Sequence, residues 1–176
     1  MRMNNDLFSE SWPYRGPVKF IAEAIKDIVS NKVVCDVGCA GGDFLKSIEP
    51  YCKKAIGVDI DEERLEVAKK QGLEVYLRDI YSNPPKADIY YLWIQPEEDY
   101  KMVKFLLKSA KKKKITILVN RRKENEWSLE KFGDCDKKLL KLISEVRYFP
   151  YQEANSALPD WPTSGDWALG IIKNYE

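Results

Sequence analysis

The sequence predicts an α/β fold: a doubly wound, mostly parallel seven-stranded sheet with a C-terminal antiparallel hairpin. Short apolar runs alternate with segments of helical periodicity from residue 17 to residue 142, an alternation typical of parallel strands joined by helices. A glycine-rich turn directly follows the first apolar run. The last two strand-like runs are joined by a loop without helical periodicity, and such a connection favours a hairpin over a parallel crossover.

The length and composition fit one globular domain, which we expect to span residues 1–176. The chain is 44% hydrophobic and 32% charged, close to ordinary folded proteins. Its 29 basic and 28 acidic residues give a net charge of +1, so the chain as a whole has no bias toward DNA or a membrane surface. We therefore predict neither DNA nor a membrane as a partner.

The spacing of the cysteines and the lack of histidine limit the kinds of metal site and catalytic mechanism that the chain can have. The four cysteines form no CxxC pair, and the chain has no histidine. We therefore predict reduced thiols, a cytoplasmic protein and no metal site. No apolar run approaches the roughly 20 residues of a membrane span. The lack of imidazole removes the commonest general base, which argues against many hydrolase mechanisms.

The first elements alternate between helix and strand. Pro17 opens a segment whose apolar residues, at 18, 21, 22, 25, 28 and 29, have helical spacing, and proline is tolerated at a first helical position. Val33–Val37 and Ala55–Val58 predict buried strands, with a helix at Phe44–Ile48 between them.

The following elements continue this alternation. Asp61 is a suitable N-cap for a helix that extends to about Lys70. Three further parallel strands are predicted at Leu73–Leu77, Ile89–Ile94 and Ile115–Val119. Between the last two of these strands, Pro96 and three acidic residues open a helix that ends in lysines, which matches the helix dipole at both ends.

The C-terminal elements are a helix near Asp136–Leu142 and strands at Val146–Tyr151 and Trp167–Ile172. The loop between these two strands contains three prolines or glycines, at 159, 162 and 165. It has no room for a crossover helix, so the two strands are expected to form the hairpin.

The run from Val33 to Gly42 places a strand, an acid and a glycine turn directly ahead of a helix. Glycines there allow a ligand to approach the backbone, and the helix start supplies free N–H groups. The spacing does not fit the dinucleotide pattern GxGxxG, because Ala40 and Asp43 occupy its second and third glycine positions. Asp36 would also repel a pyrophosphate, whereas a ligand with an ammonium and a sulfonium group would suit it.

This turn resembles the Asp-x-Gly-x-x-x-Gly loop of class I, Rossmann-like S-adenosylmethionine-dependent methyltransferases. Asp36, Gly38 and Gly42 match that loop, and Ala40 stands where the family often has glycine. The resemblance implies that S-adenosylmethionine is the cofactor. It also implies that the loop residues Asp36, Gly38, Cys39, Ala40 and Gly42 bind it.

Two further acids extend the resemblance. Asp59 ends the second strand, where the family's acid accepts hydrogen bonds from both ribose hydroxyls, and its neighbour Ile60 is also expected to bind the cofactor. Asp79 comes after the third strand, where the family's acid contacts the adenine amino group, and its neighbour Ile80 is likewise expected to bind the cofactor. Taken singly, these acids also fit helix caps, and the glycines also fit ordinary turns. Three acids at the ends of three successive strands, with the glycine turn after the first, favour a cofactor site.

The methyl acceptor is expected beyond the fourth strand. Gln95 and Glu97 are the candidate catalytic residues, since Gln95-Pro96 partly resembles the Asn/Asp-Pro-Pro-aromatic motif of methyltransferases that act on amino nitrogens. Glu97 stands where that motif has its second proline, and Pro96 also fits a simple helix start. Asn83-Pro84-Pro85 is closer in letters, but it precedes the strand and is interpreted as a loop.

The other walls of the acceptor pocket are predicted from aromatic segments. The N-terminal lead and first helix, residues 1–30, are expected to cover the cofactor, with Trp12–Arg15 at the pocket and Arg15 on the methionine carboxylate. The loop Trp161–Asp166 forms a third wall. Lys111–Lys114 and Arg121–Lys123 are candidate phosphate contacts, although charge runs also fit helix ends and solvated loops.

The sequence therefore predicts an S-adenosylmethionine-dependent methyltransferase that works by in-line displacement, with alignment and a desolvated pocket instead of an obligatory base. An amine acceptor would arrive neutral or lose its proton to water or to a carboxylate such as Glu97. A protein side chain, a small metabolite and RNA all remain candidate acceptors. The alternative function is a non-catalytic Rossmann-like subunit that binds the cofactor or a partner. The glycine spacing disfavours a nicotinamide-dependent oxidoreductase.

Overall fold

The computed structural model describes residues 15–93, 96–111, 113–122, 134–152 and 164–174. Seven strands form one sheet. In chain order they are β1 Val33–Val37, β2 Lys54–Asp59, β3 Val75–Leu77, β4 Ile89–Leu92, β5 Ile115–Arg122, β6 Glu145–Gln152 and β7 Ser164–Asn174. Their order across the sheet is β3-β2-β1-β4-β5-β7-β6.

The strand pairing confirms the predicted fold class. Strands β3, β2, β1, β4 and β5 run parallel to their neighbours, whereas β7 is antiparallel to both β5 and β6. The chain order reverses between β1 and β4, which makes the carboxyl ends of these strands the switch point of a doubly wound sheet. Ligands of open α/β sheets bind at this place.

Six helices lie in the part of the chain that the structure describes. They are α1 Arg15–Ala24, α2 Lys26–Val29, α3 Asp43–Ile48, α4 Glu62–Lys70, α5 Pro96–Ala110 and α6 Asp134–Leu140, with a 3₁₀ turn at Glu49–Tyr51. The single helix predicted from Pro17 is divided, because Ile25 leaves helical geometry at φ −109° and ψ 8°. Helix α1 also begins at Arg15, so Pro17 lies within the first turn, where its missing N–H is still tolerated.

Two helix starts agree with the sequence in detail. The Asp61 carboxylate caps α4 by accepting the Arg64 N–H at 3.1 Å. Acidic residues fill the first turn of α4 and lysines fill the last, which complements the helix dipole. Helix α5 begins at Pro96, as predicted.

Strand lengths depart from the sequence pattern at two places. Strand β3 covers only Val75–Leu77, because Leu73 leaves the sheet and packs with the apolar residues behind β2. Strand β5 extends to Arg122, because β7 pairs with it along its whole length. A partner strand thus decides the length of β5, and the apolar run alone does not show it.

Apolar helices cover both faces of the sheet. On one face α5 and α6 pack against the strands through Val103, Leu106 and Leu139. On the other face α1 and α3 contribute Ile21, Ala22 and Phe44. The two helical layers bury β1 and β4 and leave the strand ends as accessible edges of the sheet. No helix among the described residues is long and apolar enough to cross a membrane.

Candidate functional site

The three acids identified in the sequence lie at the carboxyl ends of three adjacent strands. Asp36 is the fourth residue of β1, Asp59 ends β2, and Asp79 follows β3 by two residues. Because β3, β2 and β1 are neighbours in a parallel sheet, their carboxyl ends form one edge. The Arg78 N–H donates to the Asp59 carbonyl at 2.8 Å and ties the segment after β3 to the end of β2.

The glycine turn after β1 contains three residues in left-handed geometry. Gly38, Ala40 and Gly42 have φ values of +77°, +47° and +87°. The N–H groups of Gly38 and Cys39 donate to the Val58 carbonyl at 2.8 and 3.1 Å, which fastens the turn to β2. Alanine at positive φ is strained, so the turn keeps the shape expected of a glycine loop although Ala40 replaces glycine.

Asp59 holds this turn in place. Its Oδ2 accepts the Ala40 N–H at 2.8 Å, and its Oδ1 accepts the Asp61 N–H at 2.9 Å. Each carboxylate oxygen has a second lone pair. Asp59 can therefore accept hydroxyl donors while it stabilises the strained residue, which gives it a structural role as well as the expected ribose contact.

Close packing requires two glycines around the turn. A Cβ at Gly42 would lie 2.4 Å from Leu73 Cδ1, and a Cβ at Gly57 would lie 2.6 Å from Cys39 Sγ. Gly57 was not singled out in the sequence, because it lies inside a strand and belongs to no turn pattern. It allows Cys39 to pack directly against β2, so it determines how closely the turn approaches the sheet.

Asp36 is a buried carboxyl group next to a second carboxylate. Its side chain is 4% exposed, and no described residue forms an ion pair with it. Burial, together with the charge of Asp59, raises the pKa of Asp36 to about 8. A cationic ligand group would relieve this energetic penalty, because an opposite charge favours the ionised form.

The apolar residues predicted to bind the cofactor differ in the exposure of their side chains. Ile60 is 76% exposed directly after β2, a high value for a large apolar side chain. The side chains of Cys39 and Ile80 are buried in the core, so only their backbones face the site edge.

The carboxylate of Asp79 is exposed, and its Oδ1 accepts the Tyr81 N–H at 2.9 Å. The second carboxylate oxygen of Asp79 is left for another donor.

Several predicted positions cannot be placed. Gln95, Trp12 and Trp161 lie outside the described residues. The side chains of Arg15 and Glu97 are not among the described ones, although their backbones lie in the first turns of α1 and α5. Their roles therefore stay predictions.

A buried polar contact next to the site was missed in the sequence. The Tyr91 ring stacks on Phe44 with centroids 3.7 Å apart, and its hydroxyl accepts the Asn120 side-chain N–H at 2.9 Å. Tyr91 pairs with Asp36 across β1 and β4, and burial raises the pKa of the Tyr91 hydroxyl. The signal available in the sequence was Asn120, a polar residue at the end of an apolar strand.

Comparisons with solved structures identify the fold. No protein-family model and no curated protein matches the sequence. The N-methyltransferase NodS from Bradyrhizobium japonicum WM9, in complex with S-adenosyl-L-homocysteine, is similar at a TM-score of 0.64 and 15% identity, over 98% of this chain and 94% of that chain. Magnesium protoporphyrin IX methyltransferase (ChlM) from Synechocystis PCC 6803, with the same bound product, has a TM-score of 0.64 at 14% identity, over 99% and 89%.

A third similar structure is a SAM-dependent methyltransferase from Archaeoglobus fulgidus, with a TM-score of 0.62 and 19% identity over 98% of this chain and 100% of that chain. The sheet order and the helices on both faces define a Rossmann-like α/β protein. More specifically, the chain has the fold of the class I S-adenosylmethionine-dependent methyltransferases, as the glycine turn predicted.

Proposed function

We propose that this chain is an S-adenosylmethionine-dependent methyltransferase. The observation that carries the proposal is the site edge itself: Asp36, Asp59 and Asp79 lie at the carboxyl ends of three adjacent parallel strands, beside a left-handed turn. Two structures that share the fold contain the demethylated product of this cofactor. The similarity to these structures concerns the fold, and the residues of this chain carry the chemistry.

The donors and acceptors at the edge fit the parts of S-adenosylmethionine. Asp36 is buried and pairs with no described cation, so it suits the methionine ammonium, and each oxygen of Asp59 has a second lone pair for the ribose hydroxyls. The exposed Ile60 offers an apolar surface to the adenine ring, and the second Asp79 oxygen suits the adenine amino group. Arg15 is proposed to pair with the methionine carboxylate.

The dinucleotide alternative fits this edge less well. A pyrophosphate would lie against the turn beside Asp36, and a second acid, Asp59, borders the same turn. The charge of Asp59 repels a dianion, and a dianion would keep Asp36 protonated, whereas a cation favours the ionised form of Asp36. The charge of the site therefore favours a sulfonium cofactor over a nicotinamide dinucleotide.

When bound, the cofactor supplies an electrophilic methyl group next to a positively charged sulfur. The chain's residues would orient the acceptor toward this group and exclude water. Glu97 or water would take the proton that the acceptor loses. Gln95 is proposed to hold the acceptor through its side-chain carbonyl. The acceptor classes are a protein side chain, a small metabolite and RNA.

Calorimetric titration tests the cofactor assignment. S-adenosylmethionine and S-adenosylhomocysteine should bind, and NAD should not. Asp59→Asn replaces one acceptor oxygen by a donor and should weaken binding by about 1.5–3 kcal/mol, since it removes a charge-assisted hydrogen bond. Asp61→Asn is the matched control, because Asp61 caps α4 and pairs with Arg64, and asparagine is an equally good cap.

Three results would contradict the proposal. The first is tighter binding of NAD than of S-adenosylmethionine, and the second is no binding of either S-adenosylmethionine or S-adenosylhomocysteine. The third is equal affinity for S-adenosylmethionine in Asp59→Asn and Asp61→Asn. Release of S-adenosylhomocysteine with acceptors of the three classes separates an enzyme from the non-catalytic alternative. A chain that binds the cofactor but never forms this product with any class would support the non-catalytic subunit.

A further inference from the structure

A groove of about 410 Å³ opens at the amino-terminal edge of the parallel strands, at the opposite end of the sheet from Asp36. Lys32 precedes β1, Ile89 begins β4, and Lys114 precedes β5; all three line the groove. Sites for small organic groups commonly measure about 300–1,000 Å³. The groove therefore has room for one nucleotide-sized group.

The groove borders the apolar core. Ile89, Ile115 and Ile171 line it, but each is at most 5% exposed and offers a ligand little surface. Ile28 of α2 is only partly buried and adds an accessible apolar side chain from the helical layer. A flat ring in the groove can therefore pack against Ile28.

The carboxylates on one side of the groove already have cationic partners. Arg147 bonds to Asp27 Oδ1 and to Glu145 Oε1, each at 2.9 Å. Lys173 Nζ lies 3.8 Å from Glu145 Oε2. These pairs neutralise this side of the groove. The net charge that a ligand meets therefore comes from the other residues at the amino-terminal edge of the strands.

Five exposed lysines follow the same edge of the sheet, and we name this set the basic edge. Its members are Lys32 before β1, Lys53 before β2, Lys86 before β4, and Lys113 and Lys114 before β5. None of the five forms an ion pair within the described part of the chain. The negative end of a helix favours a lysine that follows it. The ammonium groups of the five lysines nevertheless remain free to bind an anion.

The length of the basic edge exceeds what one phosphate requires. Strands β2, β1, β4 and β5 are consecutive in the sheet, and neighbouring strands lie about 4.8 Å apart. The lysine row therefore extends over about 14 Å. A row of separate cations over this distance matches several phosphates in one chain, with the groove located between Lys32 and Lys114.

One acceptor in the groove fits a hydroxyl group. Asp88 lines the groove between β1 and β5, and its Oδ2 accepts the Val33 N–H at 2.9 Å. Its Oδ1 is available to a hydroxyl donor. A carboxylate repels phosphate but accepts well from a sugar hydroxyl, so a ribose fits beside the lysines better than a deoxyribose does.

We propose that the basic edge binds single-stranded RNA, with one nucleotide seated in the groove. Its base packs against Ile28, its ribose hydroxyl donates to Asp88, and the neighbouring phosphates contact the lysines on either side. This proposal does not depend on the cofactor assignment, because the groove and the site edge lie at opposite ends of the strands.

Fluorescence anisotropy with labelled octauridylate tests the proposal on the full chain. The titrations contain saturating S-adenosylhomocysteine, and a uridine oligomer avoids competition at the proposed adenine site. The double variant Lys32→Gln/Lys114→Gln should bind more weakly, and the slope of log affinity against log salt should fall in magnitude by about 1.4, since each phosphate contact on a single strand contributes about 0.7. The salt range is about 50 to about 200 mM.

The matched control is Lys19→Gln/Lys104→Gln, which removes two exposed lysines from the middle of α1 and α5. Its affinity and salt slope should equal those of the parent. Equal losses in both double variants would overturn the proposal, as would a parent that shows no saturable binding. Equal binding of the deoxy octamer would overturn the ribose contact. Uridine monophosphate that binds as tightly as octauridylate would overturn the contacts along the lysine row.

Discussion

Replacement of Asp36 by asparagine should change stability and cofactor binding in opposite directions. In the folded chain the Asp36 carboxyl is buried beside Asp59, and this environment raises its pKa to about 8 from an ordinary value of 3.8. Between these two values the folded state holds a proton that the unfolded state has lost. Unfolding then releases a proton, so the free energy of unfolding falls as the pH rises through this window.

The magnitude follows from the width of that window. Each pH unit inside it changes the free energy of unfolding by about 1.4 kcal/mol for one proton. From about pH 5 to about pH 8 the parent should therefore lose up to about 4 kcal/mol relative to Asp36→Asn, which carries no titratable group at this position. The variant should resemble the parent in acid and be more stable than the parent near pH 8.

Urea unfolding of both proteins across this range measures the effect. The quantity of interest is the difference between the two stabilities as a function of pH, because the other titrating groups contribute equally to both proteins. The groups around Asp36 are Asp59, Cys35, Cys39 and Tyr91, and all remain in the variant. A difference that stays constant from about pH 5 to about pH 8 would refute the reasoning.

Calorimetry supplies the functional half of this prediction. A cofactor ammonium at Asp36 should favour the ionised carboxylate, so the binding of S-adenosylmethionine near neutral pH should release about one proton to the buffer. In Asp36→Asn this release should vanish, and the affinity should fall by about 1.5–3 kcal/mol. Binding enthalpies that are identical in buffers of different ionisation enthalpy would show that Asp36 does not meet the ammonium.

Three further substitutions test the turn and its surroundings. Ala40→Gly removes a side chain at φ +47° and should raise the free energy of unfolding by about 1 kcal/mol; unchanged or lower stability in urea would contradict the strain. Gly42→Ala places a Cβ 2.4 Å from Leu73 Cδ1 and should lower the melting temperature by overpacking, with a cost of about 1–3 kcal/mol; a neutral result would show that the turn relaxes freely. Asp79→Asn keeps the turn to Tyr81 and should weaken cofactor binding, whereas parental affinity in calorimetry would remove Asp79 from the adenine contact.

The sequence by itself determined the element order and the places of the three acids. Apolar runs and helical periodicity are local properties, so Val33–Val37 and the start of α5 at Pro96 agree with the structure. Each acid lies at or just beyond the carboxyl end of a strand pattern, and parallel topology requires such ends to share one edge. The prediction of Asp36, Asp59 and Asp79 at one edge therefore needed no long-range contact.

Only the tertiary structure decided how the turn is held and how the two ends of the sheet differ. The hydrogen bond from Ala40 to Asp59 and the close approach of Cys39 to Gly57 join residues that are distant in the chain. The basic edge likewise combines lysines from four separate connections, and a net charge of +1 conceals them. Pairing between strands brings these residues together, and composition and periodicity carry no record of which strands become neighbours.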